Sequence, residues 1–171
     1  MTHRHPGVSI IVAVDNNNAI GRAGDLLYHI SADLRNFRRL TTGNIVVMGR
    51  RTFESLPKGA LPDRVNMVIT RNKAYQAKNV ELCDSLEGAL VAARTKFPER
   101  ETFIIGGGEI YRQAFPIADK LYLTCVDAAT DGADTFVPEI DSKEWQTEEA
   151  GEWLTDEKSG LRYRFVCLSR K

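Results

Sequence analysis

Residues 8 to 14 read Val-Ser-Ile-Ile-Val-Ala-Val, too uniformly apolar for a strand with one wet face and too short for a helix. A strand buried on both faces implies a central sheet covered by helices on either side. Similar runs recur at Asn44 to Met48, Arg64 to Thr70 and Thr102 to Ile105, with a shorter one at Val80 to Cys83. Helical patterns lie between them. Ser31 can cap a helix carrying Leu34, Phe37 and Leu40 that ends near Thr41-Thr42-Gly43. A short helix follows Gly49-Arg50-Arg51-Thr52 and stops at Pro57. Asp84 with Glu87 gives a capping-box-like start to the stripe Leu86, Ala89, Leu90, Ala93, Phe97. A further helix ends at Pro116. From Leu121 onward helices disappear, leaving Leu121 to Asp127, a Trp145 to Trp153 region and the alternating Leu161, Tyr163, Phe165, Cys167. These read as strands joined without crossover helices, hence antiparallel at one edge. The expectation is one α/β domain over residues 1–171: a mostly parallel twisted sheet of about eight strands with an antiparallel C-terminal edge, flanked by about four helices.

Charge narrows the range of partners. The chain has 23 basic and 23 acidic residues, so a delocalised attraction to nucleic acid or to an anionic membrane is not supported. Any anion must be bound locally. Cys83, Cys125 and Cys167 are odd in number, form no CxxC pair and sit in apolar strand-like runs, which fits a reducing cytoplasm. Met1 to Gly7 has no apolar core of a leader, and no stretch approaches the roughly 20 apolar residues of a membrane span.

Residues 103 to 111, Phe-Ile-Ile-Gly-Gly-Gly-Glu-Ile-Tyr, run from a strand through three glycines straight into a helix. Glycines let backbone amides approach a ligand that a Cβ would hold away, and the helix adds its positive dipole end. Gly106 and Gly108 match half of G-x-G-x-x-G, but Tyr111 stands at the third glycine, and no Gly-Lys-Ser/Thr follows as in a P-loop. The turn is another kind of nucleotide cradle, or it is structural punctuation.

Three other features can carry chemistry. The segment Asp15 to Ile30 has no periodicity and is long for a connection, as functional loops are. Asp33 sits in the first turn of the following helix, where the dipole alone favours an acid. It shares a face with Phe37, and a carboxylate in an apolar frame also suits a flat hydrogen-bonding ring. Arg50 and Arg51 oppose a helix dipole, which favours a bound phosphate over a merely solvated pair. Thr70-Arg71 could add a contact to the same anion, and Arg64 either binds a carboxylate bidentately or caps its loop.

The set Ile20-Gly21, Asp33-Leu34-x-x-Phe37, Met48-Gly49-Arg50-Arg51-Thr52-Phe53-Glu54-Ser55, Leu61-Pro62-x-Arg64, Ile105-Gly106-Gly107-Gly108-Glu109-Ile110-Tyr111 and Leu121-Tyr122-Leu123-Thr124 resembles dihydrofolate reductase. Order and spacing match over about residues 8 to 169. The resemblance implies NADPH-dependent reduction of 7,8-dihydrofolate to tetrahydrofolate, by hydride transfer to C6 and protonation of N5. Asp33 would hold the 2-amino and N3 edge of the pterin, with Thr124 supporting its carboxylate. Ile11, Val12, Leu34, Phe37 and Leu56 would line the ring pocket, Arg64 would take the glutamate α-carboxylate, and Arg38 would lie at the rim. Ala13, Ile20, Gly21 and Tyr111 would flank the nicotinamide. Gly49, Arg50, Arg51 and Thr52, with Thr70 and Arg71, would hold the adenosine phosphate end. Ile105, Gly106, Gly107, Gly108, Glu109, Ile110 and Gln113 would surround the pyrophosphate, with a cis Gly106-Gly107 peptide. Asn16 to Ile30 would be a lid steadied by Asp134.

The pattern departs from the family at Leu27-Tyr28, where a Pro-Trp pair is usual, at Ser31, where a proline is usual, and at Glu109, where a basic residue often stands. Tyr28 is assigned to the catalytic set in place of the indole. A monomer is expected, with no metal. The alternatives are a pyrimidine reductase of riboflavin synthesis, which shares this fold and cofactor, and a non-catalytic nucleotide-binding module.

Overall fold

The computed structural model describes residues 7–22, 25–26 and 28–171. Met1 to Pro6, Ala23, Gly24 and Leu27 lie outside them, and with them the leader reading and half of the Leu27-Tyr28 departure.

In chain order the elements are β1 (Val8–Val14), β2 (Ala19–Arg22), β3 (Asp25–Leu26), α1 (Ser31–Thr41), β4 (Ile45–Gly49), α2 (Arg50–Glu54), β5 (Val65–Ile69) and β6 (Glu81–Cys83). There follow α3 (Leu86–Lys96), β7 (Thr102–Gly106), α4 (Gly108–Ala114), β8 (Lys120–Val126), β9 (Thr135–Phe136), β10 (Trp145–Ala150), β11 (Leu154–Thr155) and β12 (Arg162–Arg170). The main sheet runs β10-β12-β8-β1-β7-β4-β5-β6, with β11 paired to β12. From β8 to β6 every pairing is parallel; only β12, β10 and β11 run antiparallel. The expected parallel sheet with an antiparallel C-terminal edge is therefore present.

Alternation along the strands sorts the core into two layers. Ile10, Val12, Val14, Val47 and Ile104 pack with α3 and α4, whereas Ile11, Val46, Met48, Val68 and Phe103 pack with Phe53 of α2 and Phe37 and Leu40 of α1. β1 is buried nearly throughout, as its composition requires. Because β7 is inserted between β1 and β4, the C-terminal ends of β1, β4, β5 and β7 open onto one edge of the sheet. In open α/β sheets that edge, where strand order reverses, is where ligands bind.

Three expectations need correction. Ser31 is the first helical residue of α1, behind an Ile30 N-cap that makes no side-chain bond, so the usual hydroxyl cap is missing. The cap of α3 is Ser85, whose Oγ accepts from the Gly88 N–H at 2.9 Å; Asp84 lies one residue outside. The 15–30 segment is only partly irregular: β2 pairs with β3 and with β9 in a small second sheet, and the Asp134 and Val137 N–H groups donate to the carbonyls of Gly21 and Asn18 at 3.0 Å. Such short pairings leave no mark in hydrophobic periodicity.

Candidate active site

Asp33 projects from the first turn of α1 toward the sheet, where Thr124 Oγ1 donates to its Oδ1 at 2.5 Å. Ala13 of β1 lies beside Thr124 of β8 in the ladder, so the end of β1 forms the floor next to this pair. Burial pushes the Asp33 carboxyl above the usual carboxylate range, and the Thr124 hydrogen bond opposes that rise. A partly desolvated carboxylate is thus held by one hydroxyl. An ionised carboxylate has about four lone-pair sites, so acceptor capacity remains for a ligand with two donors.

Tyr111 of α4 is buried, and its hydroxyl donates to the Ile11 carbonyl at 3.0 Å. Burial, and secondarily the Asp33 charge, drive its phenol pKa far upward, which keeps it a neutral donor. One hydrogen bond therefore fixes the helix after the glycines against the strand beneath Asp33. Ile11 carries its side chain into the layer that contains Phe37 and Leu56. Val12 turns into the opposite layer, so its side chain stands across the sheet from theirs. Leu34 is 63% exposed beside the inward-facing Asp33 and Phe37.

Arg64 is tied back on two sides: Nε donates to the Pro62 carbonyl at 2.8 Å and Nη1 to Thr41 Oγ1 at 3.1 Å. Thr41, fully buried at the end of α1, itself donates to the Phe37 carbonyl at 2.8 Å. Two of the five guanidinium N–H groups are used, leaving enough for a bidentate carboxylate. Burial lowers the Arg64 pKa, with a smaller contribution from neighbouring Arg38, as two cations gathered at one rim require.

The glycine turn lies at the end of β7. Gly106 has φ +132°, which only glycine adopts without strain, and the Gly106-Gly107 peptide is cis. Gly108 is needed for another reason: a Cβ there would stand 2.5 Å from Thr135 Cγ2, so the third glycine makes room for β9. Thr52 Oγ1 faces the turn, within 3.4 Å of where a Cβ on Gly106 or Gly107 would lie. Gly49 lies beside Ile110 of α4. Arg50 Nε is 3.8 Å from Glu54 and its guanidinium lies over the Tyr75 ring, while Arg51 is exposed. Thr70 accepts from the Asn72 N–H at 3.1 Å, and Arg71 is exposed beyond it. Glycine amides at one strand end and arginines at two others are the donor set a phosphate-rich dinucleotide requires. Glu109 and Gln113 point to each other at 3.1 Å, and Arg112 pairs with Glu109, so a cation stands beside the acid that departs from the family pattern.

Ile20 is buried and Gly21 half-buried on β2, at the mouth of the same edge. Asp134 accepts from the Thr135 hydroxyl and reaches β2 through its backbone N–H. Tyr28 hydrogen-bonds the Thr130 hydroxyl, a partner that residue pattern alone did not suggest.

Comparison with known proteins agrees with this fold. A family model described as dihydrofolate reductase matches residues 7–170. The type 3 dihydrofolate reductase of Salmonella typhimurium is 44% identical over 164 residues, spanning 96% of this chain and 98% of that one. The dihydrofolate reductase of Haemophilus influenzae is 42% identical over 163 residues, spanning 95% and 98%. Among solved structures, Enterococcus faecalis dihydrofolate reductase complexed with NADP(H) and RAB-propyl superposes with a TM-score of 0.84 at 33% identity, covering 96% of each chain. The carboxylate on α1, the hydroxyl on β8 and the glycine turn at the end of β7 thus sit in a known framework, and the chain belongs to the dihydrofolate reductase family.

Proposed function

We propose that the chain is an NADPH-dependent oxidoreductase that reduces 7,8-dihydrofolate to 5,6,7,8-tetrahydrofolate. The observation that carries this reading is the half-buried Asp33 carboxylate, held by Thr124 at the C-terminal edge of the parallel sheet and within electrostatic reach of Tyr111. Its free acceptor sites match the 2-amino and N3 donors of a pterin, and Ile11, Phe37 and Leu56 supply an apolar wall on the same layer. Leu34 completes the pocket at its margin, whereas the Val12 side chain lies on the opposite layer and takes no part in that wall. Arg64, positioned by Thr41 and with Arg38 at the rim, takes the glutamate carboxylate.

NADPH, when bound, supplies the hydride delivered to C6 of the pterin. Thr52, Gly49 and the Ile105 to Ile110 turn hold its pyrophosphate, aided by Gln113, while Arg50, Arg51, Thr70 and Arg71 take the adenosine 2′-phosphate. Ala13, Ile20, Gly21 and Tyr111 flank the nicotinamide. Arginines reserved for a 2′-phosphate select against NADH, which leaves those donors unpaired. Asp33 orients the pterin and stabilises positive charge on it as N5 gains a proton from water. The small sheet of β2, β3 and β9, with Asp134 at its edge, covers the reacting face against bulk solvent.

No helix among the described residues is long and apolar enough to cross a membrane. We read the chain as a cytoplasmic monomer, the compartment from three free cysteines, and the zero net charge speaks against delocalised binding to nucleic acid or membrane. The test is the loss of reduced-nicotinamide absorbance when dihydrofolate is added to the protein and NADPH. Turnover supports the reading; oxidation only with a ribosylaminopyrimidine substrate, or with neither, overturns it.

A further inference from the structure

Asp15 follows β1 directly and is only 4% exposed, and among the described residues three backbone N–H groups donate to its carboxylate. Oδ1 accepts from Asn17 at 2.8 Å and Ala19 at 2.9 Å, and Oδ2 accepts from Thr130 at 3.1 Å. One buried anion therefore joins the outgoing limb of the 15–30 segment to the loop after β8. Asn16 reinforces the joint: its N–H donates to the Ala128 carbonyl at 2.9 Å and its Nδ2 to Asp127 at 3.1 Å.

The side chain of Thr130 points onward. Its hydroxyl bonds the Tyr28 hydroxyl on the returning limb, and the Tyr28 ring packs against Ile30, Val126 and Tyr163. The Ile30 carbonyl in turn accepts the Asp33 N–H at 3.0 Å. Residues 124 to 130 thus grip residues 28 to 33 at two points, Thr124 on Asp33 and Thr130 on Tyr28. The grips differ in strength. The three bonds to Asp15 are charge-assisted and buried, whereas the hydroxyl pair is neutral and is the joint that can release.

We propose that Thr130, fixed by Asp15, is a positioning residue for the reaction: its hydroxyl latches the returning limb of the 15–30 segment through Tyr28 and holds that limb in register with Asp33. The proposal rests on the dihydrofolate reductase reading above. The valine variant at 130 keeps the β-branch and the N–H bonded to Asp15 but loses the latch, while the serine variant keeps the hydroxyl.

Single-turnover hydride transfer, NADPH dissociation constant and thermal midpoint are measured for wild type, Thr130→Val, Thr130→Ser, Tyr28→Phe and the Thr130→Val/Tyr28→Phe pair. Thr130→Val and Tyr28→Phe are each expected to slow hydride transfer about 3- to 10-fold, the range set by one neutral hydrogen bond. The pair is expected to be no slower than its slower member, with Thr130→Ser within about two-fold of wild type and NADPH affinity unchanged. A wild-type rate in Thr130→Val, a serine variant as slow as the valine variant, or effects that multiply in the pair would each overturn the latch. A wild-type chain that does not oxidise NADPH with dihydrofolate would overturn the functional reading, and the latch with it.

Discussion

Thr124 on β8 donates its hydroxyl hydrogen to Asp33 on α1, joining positions 91 apart in the chain at the open edge of the sheet. That bond favours the ionised carboxylate, while burial of the same group favours its protonation. The site therefore holds a carboxylate charge at some energetic cost, and the consequences can be measured.

Asp33→Asn keeps the shape but removes the charge that orients the pterin and favours protonation of N5. Turnover at neutral pH is expected to fall about 100-fold or more, with partial recovery in acid where solvent protonates the substrate. NADPH binding is expected to be unchanged. Steady-state rates across pH, with NADPH titration by fluorescence, check this; wild-type turnover at neutral pH would remove Asp33 from its role.

The same substitution bears on stability. Because the folded-state pKa of Asp33 lies above its ordinary value of 3.8, folding favours the protonated form. The contribution is fully present below that value and is lost as pH rises through the raised folded pKa. Asp33→Asn should therefore be more stable than wild type at neutral pH, with the difference shrinking as pH falls toward 4 (about the unfolded carboxylate value). Paired thermal melts at the two pH values test it, each kcal/mol corresponding to about 2–4 °C in Tm for a chain of this size. A gap that widens in acid would contradict the assignment.

Arg50 lies at the end of β4, half exposed and near Glu54. Arg50→Ala is expected to weaken NADPH about 10-fold and NADH much less, since one charge-assisted contact to the 2′-phosphate is worth about 1.5–3 kcal/mol before solvent screening. Isothermal titration with both nucleotides decides it; equal losses would mean that Arg50 reads something other than that phosphate.

Gly108 faces Thr135 so closely that a methyl group would meet Cγ2 at 2.5 Å. Gly108→Ala should cost about 1–3 kcal/mol in urea denaturation, the usual range for an overpacked contact. Adding Thr135→Ser, which deletes that Cγ, should recover most of the loss. A double variant no better than the single one would place the constraint elsewhere than in this contact.

Much of this architecture was legible in residue order. The run Val8 to Val14 demanded a covered parallel sheet, and the strand-to-helix patterns up to Pro116 located α1 to α4, because burial on both faces and 3.6-residue periodicity are written in local composition. The short β2, β3 and β9 were not legible, since two to four residues carry no period. Asp15 and Thr130 were missed for a related reason. Asp15 left one trace, an acid closing a buried strand before an asparagine run, which is a turn signal but names no partner.

Local composition and periodicity were enough for the fold class, and six short motifs in register for the family. Which groups act together depends on contacts between distant elements. Asp33 meets Thr124 and Tyr28 meets Thr130 because a parallel sheet brings distant strand ends to one edge, and Arg64 meets Thr41 because the residues that lead into β5 and β4 lie side by side at the opposite edge. Periodicity records which face a side chain takes within its own element, and the hydrogen-bond partner it finds there belongs to another part of the chain.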